Sequence, residues 1–144
     1  MPIMRVKGVG SMILISPSPA RDYDKRRWDG FNNLVRLLSS WYAVWVVGTK
    51  NQYGYVSTII EQMPYCKNLC GETNIHELAH LVRDAELLIT VNTFTMHLAS
   101  ALNTPCVAIV DAVSAPIVAH PNVRQVIMPC TVDEVMEAVN ETLG

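Results

Sequence analysis

The chain has 144 residues, 50% of them hydrophobic and 17% charged, with a formal net charge of −2. This is the length of about one domain, which can bury roughly 68–70% of its unfolded surface without staples. A pI near 6.0 supplies no cationic field for nucleic acid or an anionic membrane surface.

The first predicted strand is Met12 to Ile15, ended by Ser16-Pro17-Ser18-Pro19. It is too short for a signal h-region, and no run in the chain approaches a membrane span. A loop follows in which the basic cluster Arg21 to Arg27 is interrupted by Asp22 and Asp24, a pattern suited to one anionic ligand or to solvent. Phe31, Leu34, Val35 and Leu38 then fall at i, i+3, i+4, i+7, the stripe of an amphipathic helix. Ala43 to Val47 reads as the second strand and Tyr55 to Met63 as a helix stopped by Pro64. Asn68 to Cys70 is a short third strand ending at Gly71.

Asn74 with Glu77 caps a helix over Ile75 to Val82. Leu87 to Val91 is the fourth strand, Met96 to Leu102 a helix, Cys106 to Val110 the fifth strand, and Val126 to Met128 a sixth. Thr131 and Glu134 make a capping box, and Val132, Val135, Met136 and Val139 give the stripe of the last helix. This alternation predicts a single Rossmann-like α/β domain over 1–144, a doubly wound, mainly parallel sheet. Ligands of such sheets bind at the carboxyl ends of the strands. Those ends are the Ser16–Pro19 loop, Gly48-Thr49, Gly71–Thr73, Asn92–Thr95 and Asp111–Ser114.

The common phosphate and catalytic motifs are missing. Gly8-Val9-Gly10 lacks a third glycine and precedes a strand, and Gly48-Thr49-Lys50 lacks the upstream glycine of a P-loop. No G-x-S-x-G elbow exists. His76-Glu77-Leu78-Ala79-His80 matches H-E-x-x-H literally, but no third zinc ligand is evident near it. The four cysteines, Cys66, Cys70, Cys106 and Cys130, show no C-x-x-C spacing. The expectation is a cytoplasmic chain with reduced thiols, no metal and no cofactor, no nucleic-acid partner and no membrane span. Trp28, Trp41 and Trp45 are expected to pack in the fold. His97 is either a ligand contact or a capping histidine.

The stretch "NLCGETNIHELAHLVRDAELLITVNTFTMHLASALNTPCVAIV" and the segment "RRWDGFNNLVRLL" resemble the C-terminal, donor-binding domain of family-9 glycosyltransferases, the ADP-heptose:lipopolysaccharide heptosyltransferases. That family has the GT-B architecture of two Rossmann-like domains facing a cleft. The resemblance runs from about Ile13 to Leu143. It implies a nucleotide or nucleotide-sugar ligand, of ADP type, and nucleotide contacts at seven positions. Ser18 stands where the first loop approaches the phosphates, and Arg26, two before Trp28, at the family's basic residue. Gln52 stands where a carboxylate often holds the ribose, and Thr73 lies near the adenine site. Asn92, Thr93 and His97 stand at the pyrophosphate turn.

Three positions depart from the family pattern: Asn92 replaces an aspartate, and Phe94 and Asp111 replace glycines. Phe94 is expected to crowd a phosphate and Asp111 to repel it. The acceptor site and the candidate catalytic base belong to the family's N-terminal domain, so the resemblance gives this chain no catalytic residue. It implies a donor domain that is inactive alone: a fragment of a longer chain, or a subunit that works with a second chain supplying the acceptor domain. The alternative is a non-catalytic interaction module that retains the fold.

Overall fold

The computed structural model describes residues 12–17, 28–91, 93–113, 115–116 and 120–144. In chain order these form β1 (Met12–Ser16), α1 (Phe31–Leu38), β2 (Ala43–Val46), α2 (Tyr53–Ile59), β3 (Cys66–Asn68) and α3 (Ile75–Asp84). There follow β4 (Leu87–Val91), α4 (Phe94–Leu102), β5 (Cys106–Val110), β6 (Val123–Ile127) and α5 (Val132–Leu143). The strands make one sheet in the order β3-β2-β1-β4-β5-β6, and each neighbouring pair is parallel. This is the doubly wound α/β arrangement that the alternating pattern predicts.

β1, β4 and β5 are buried along their whole length, as continuous apolar runs must be when helices cover both faces of a parallel sheet. Side-chain alternation divides them between two cores. Ile13, Ile15, Leu87, Ile89, Val107 and Ile109 pack with Phe31, Leu34, Val56 and Val135, which belong to α1, α2 and α5. Leu14, Leu88 and Ala108 turn the other way, toward Val82 of α3 and Met96 and Ala99 of α4. The capping boxes form as read: Asn74 Oδ1 accepts the Glu77 N–H at 2.8 Å, and Thr131 Oγ1 accepts the Glu134 N–H at 3.1 Å.

Several boundaries move, each for a tertiary reason. The third strand is Cys66–Asn68 in place of 68–70, because those residues pair with Val44–Val46 of β2. The second helix ends at Ile59, well before Pro64, and Gln62 with φ +63° turns the chain toward β3. β6 begins at Val123, where Arg124 and Gln125 hide an edge strand with little apolar signal. α4 starts at Phe94, two residues earlier than the apolar period suggests, and α3 runs on to Asp84.

Trp28 ties the chain together ahead of α1. It is buried, donates its Nε1–H to the Cys130 carbonyl at 3.0 Å across 102 residues, and meets Phe31 edge-on at 5.0 Å. Gly30 is required beneath it, since a Cβ there would lie 2.2 Å from the indole. Truncating Trp28 to Ala should cost about 3–5 kcal/mol. Trp28→Phe should cost about 1 kcal/mol through the lost hydrogen bond, plus lost packing. Urea unfolding of both variants checks this ranking; equal losses would show that the hydrogen bond contributes nothing.

Candidate functional site

The strand order reverses between β1 and β4, the crossing point at which open α/β sheets bind ligands. A cleft of about 440 Å³ opens beside it, at the carboxyl ends of β1 to β4 and the first turns of α3 and α4. One wall is apolar, made by Val47, Ile75, Leu78 and Phe94. Thr73, Thr93, Thr95 and Ser16 supply hydroxyl groups, and Lys50 is the one cation among the described residues lining it.

Backbone geometry holds the near edge. Gly71 has φ +77° and donates its N–H to the Gly48 carbonyl at 2.9 Å. A Cβ on Gly71 would stand 2.8 Å from the Lys50 Cα, so the position takes glycine for both conformation and space. Gly48 is equally tight: a Cβ there would lie 2.5 Å from Gln52 Oε1 and 3.1 Å from Cys70 Sγ.

The far edge is a hydroxyl network. Buried Thr90 places Oγ1 2.8 Å from the Val91 carbonyl and 3.1 Å from Thr93 Oγ1, which in turn lies 2.6 Å from Thr95 Oγ1. Thr93 stands at the N-cap of α4, yet its side chain makes no capping hydrogen bond. α3 and α5 have their starts closed by side chains, whereas α4 presents its first turn to the cleft. Such a turn is suited to an anion.

The structure gathers some of the residues singled out from sequence and separates others. Gln52, Thr73 and Thr93 line the cleft. Gln52 is only 4% exposed, and its Oε1 accepts the Thr49 N–H at 3.0 Å. His97 does not line the cleft; its Nδ1 lies 3.0 Å from His120 Nε2. Ser18, Arg26 and Asn92, with the rest of the 18–27 loop, lie outside the described residues. Asp111, expected to repel a phosphate, does not line this cleft. Asp111 borders a second cavity, of about 560 Å³, with Trp28, Asp29, Met128 and Cys130, because β5 ends on the other side of β4 from the main cleft.

Sequence reasoning missed Lys50, Asn74, Ile75 and Leu78 as lining residues. Their signal was available, since each lies within a few residues of the strand ends or in the first turn of α3. In the H-E-x-x-H string, the Glu77 carboxylate accepts the Asn74 N–H at 3.0 Å, so it serves as a helix cap.

The sequence profile of glycosyltransferase family 9 (heptosyltransferase) matches residues 6–134. The chain belongs to this family. It is 29% identical over 110 residues to lipooligosaccharide heptosyltransferase 2 of Haemophilus influenzae, covering 70% of this chain and 32% of that protein. Its fold is similar to Escherichia coli ADP-heptose LPS heptosyltransferase II, with TM-score 0.82 and 24% identity over 92% of this chain and 46% of that one. It is also similar to E. coli heptosyltransferase WaaC solved with ADP-2-deoxy-2-fluoro heptose. There the TM-score is 0.79 at 17% identity, covering 92% of this chain and 44% of that one. The chain thus spans about a third of the curated relative and under half of the solved heptosyltransferases.

In this family member the thiol beside the cleft is structural. Burial, and secondarily the Glu72 carboxylate, push the Cys70 thiol up to about 11, and burial alone pushes Cys106 up to about 12. A raised thiol pKa means that folding favours the protonated form. This contribution is complete below the unfolded value near 9.0 and is lost as pH rises toward 11 and 12. Native chain treated with iodoacetamide at pH 8 should therefore leave Cys70 and Cys106 unmodified, by peptide mass mapping, and stability should fall above about pH 9. Rapid alkylation of Cys106 in folded chain would contradict this.

Proposed function

We propose that the chain is the donor-binding half of a heptosyltransferase-like glycosyltransferase, and that the cleft takes the nucleotide of an ADP-type nucleotide-sugar. One observation carries this reading: in a family-9 chain, the cleft opens beside the β1–β4 crossing point, where the first turn of α4 is left without a side-chain cap. The solved relatives bound to ADP and to an ADP-heptose analogue supply the ligand class. The apolar wall of Val47, Ile75 and Leu78 suits the flat face of a base, and Thr73 stands beside it. Thr93 and Lys50, which line the cleft, are assigned to the phosphates, and the family resemblance adds Ser18, Arg26 and Asn92 to the nucleotide contacts. His97, expected at the pyrophosphate turn, has its Nδ1 3.0 Å from His120 Nε2.

The affinity follows from few contacts. A helix start contributes about 0.3–1 kcal/mol toward an anion, and a hydrogen bond to a charge nets about 1.5–3 kcal/mol. Two such contacts correspond to a roughly millimolar constant, about −4.1 kcal/mol. Phe94 opposes them, since its ring stands on the cleft beside the helix start. The second reading, an interaction module without ligand, draws on the same feature, because Phe94 and Ile75 are 55% and 53% exposed at the rim.

An NMR titration with ADP separates the two. The nucleotide reading expects saturable shifts at Thr73 and Thr93, tighter binding in Phe94→Gly, and weaker binding in Lys50→Ala and Arg26→Ala. Absence of any saturable shift in both wild type and Phe94→Gly would favour the interaction module. The purified chain alone should make no product from ADP-heptose and an acceptor. Positioning of both reactants supplies roughly 7–11 kcal/mol in favourable cases, which a donor half cannot provide. Turnover by the isolated chain would overturn this assignment.

A further inference from the structure

Thr131 and Thr93 are the same residue type at the same position, the N-cap of a helix, and they behave differently. Both backbones are extended there, with φ −95° and ψ 164° at Thr131 and φ −140° and ψ 176° at Thr93. Thr131 Oγ1 accepts the amide of Glu134, three residues on. The amide of Met96, three residues beyond Thr93, donates to the Thr93 carbonyl at 3.1 Å, and the Thr93 hydroxyl makes no cap. Threonine is favoured at an N-cap because its hydroxyl satisfies an orphan amide. The difference lies in what surrounds the hydroxyl.

We propose that Thr90 and Thr95 are positioning residues for the cleft: their buried hydroxyls hold Thr93 Oγ1 off the end of α4, so that Thr93 serves the ligand and not the helix. Thr90 is 0% exposed and Thr95 6%, so neither hydroxyl can turn to water. Thr90 donates to the Val91 carbonyl at 2.8 Å, which spends its one proton. Thr93 Oγ1 lies 3.1 Å from Thr90 Oγ1 and 2.6 Å from Thr95 Oγ1. Among the described residues Thr95 Oγ1 meets only these two hydroxyls. Donation in the order Thr95, Thr93, Thr90, Val91 carbonyl uses each proton once. Turning Thr93 to cap α4 would take the shortest contact from a buried hydroxyl, whereas an uncapped turn facing the cleft is satisfied by water or a ligand.

This deepens the nucleotide reading and rests on it for the ligand. A phosphate oxygen beside α4 only accepts hydrogen bonds. Thr93 meets it by swinging its proton from Thr90 to the phosphate, while Thr95 keeps donating to Thr93 and Thr90 keeps the Val91 carbonyl. No hydroxyl proton is then without an acceptor, and the first amides of α4 stay open to the same ligand. Adenosine, which has no phosphate, draws on none of this. Valine has threonine's branched shape without its hydroxyl. Thr90→Val together with Thr95→Val therefore frees Thr93 to cap α4 as Thr131 caps α5.

The test compares wild type, Thr95→Val, Thr95→Ser and the double variant Thr90→Val/Thr95→Val by amide hydrogen exchange and by NMR titration with ADP and with adenosine. In the double variant, exchange at the Met96 amide should slow as a cap forms. ADP affinity should fall by about tenfold or more, the loss expected for a hydrogen bond to a charge. Adenosine affinity should hold, and Thr95→Ser, which restores the hydroxyl, should restore ADP binding. A Met96 amide that exchanges no more slowly in the double variant would overturn the proposal, and so would equal losses for ADP and adenosine. A wild type that binds neither probe would instead refute the nucleotide reading, and the exchange measurement still decides what Thr90 and Thr95 do. Amide spectra report whether each variant folds; if the double variant does not, Thr95→Val alone carries the same signs at smaller size.

Discussion

Parallel pairing is the constraint on which the rest of this structure depends. A parallel strand cannot return through a tight turn, so every connection must run back across a face of the sheet, and most do so through helices. That requirement buries β1, β4 and β5 on both faces and separates their alternating side chains into two cores. It also delivers the carboxyl ends of all strands to one edge. The pairing of Ser16 with Thr90 fixes β1 beside β4 and so sets where that edge parts into a crevice.

The crevice acquires its chemistry from how backbone groups are satisfied. Asn74 and Thr131 close the starts of α3 and α5 with reciprocal capping boxes. At α4 the hydroxyl of Thr93 is drawn instead toward Thr90 and Thr95. Buried Thr90 donates to the Val91 carbonyl, and the same hydroxyl also meets Thr93, the residue that would otherwise cap the helix. The first turn of α4 is thereby left without a side-chain cap, an arrangement suited to an anion. On the opposite rim, Gly71 allows the Lys50 backbone to approach within contact of the β3 end, which brings a cation to a wall that is otherwise apolar or hydroxylic.

Phe94 is the residue at which fold and ligand chemistry part. Its helical conformation suits the first turn of α4, so the fold tolerates it without strain. Its side chain, however, stays half exposed on the cleft, where a residue without a Cβ would leave room. Membership of family 9 therefore does not by itself transfer the relatives' ligand geometry to this chain.

The sequence by itself determined the class of fold, the two capped helices and the strands Leu87–Val91 and Cys106–Val110 to the residue. It did so because buried parallel strands and capping boxes are written in local patterns of apolar run and side-chain spacing. It also pointed to the edge of the sheet where the cleft opens, and Gln52, Thr73 and Thr93 reached that cleft from separate loops. Only the tertiary structure decided the register of β3 and the extent of β6, since both are set by a neighbouring strand rather than by their own composition. It alone turned Gln52 inward to the Thr49 amide, directed Asp111 to a different cavity and faced His97 toward His120. Local spacing fixes the backbone position of a side chain, but its partner comes from a distant segment, and that pairing exists only once the sheet has brought the two together.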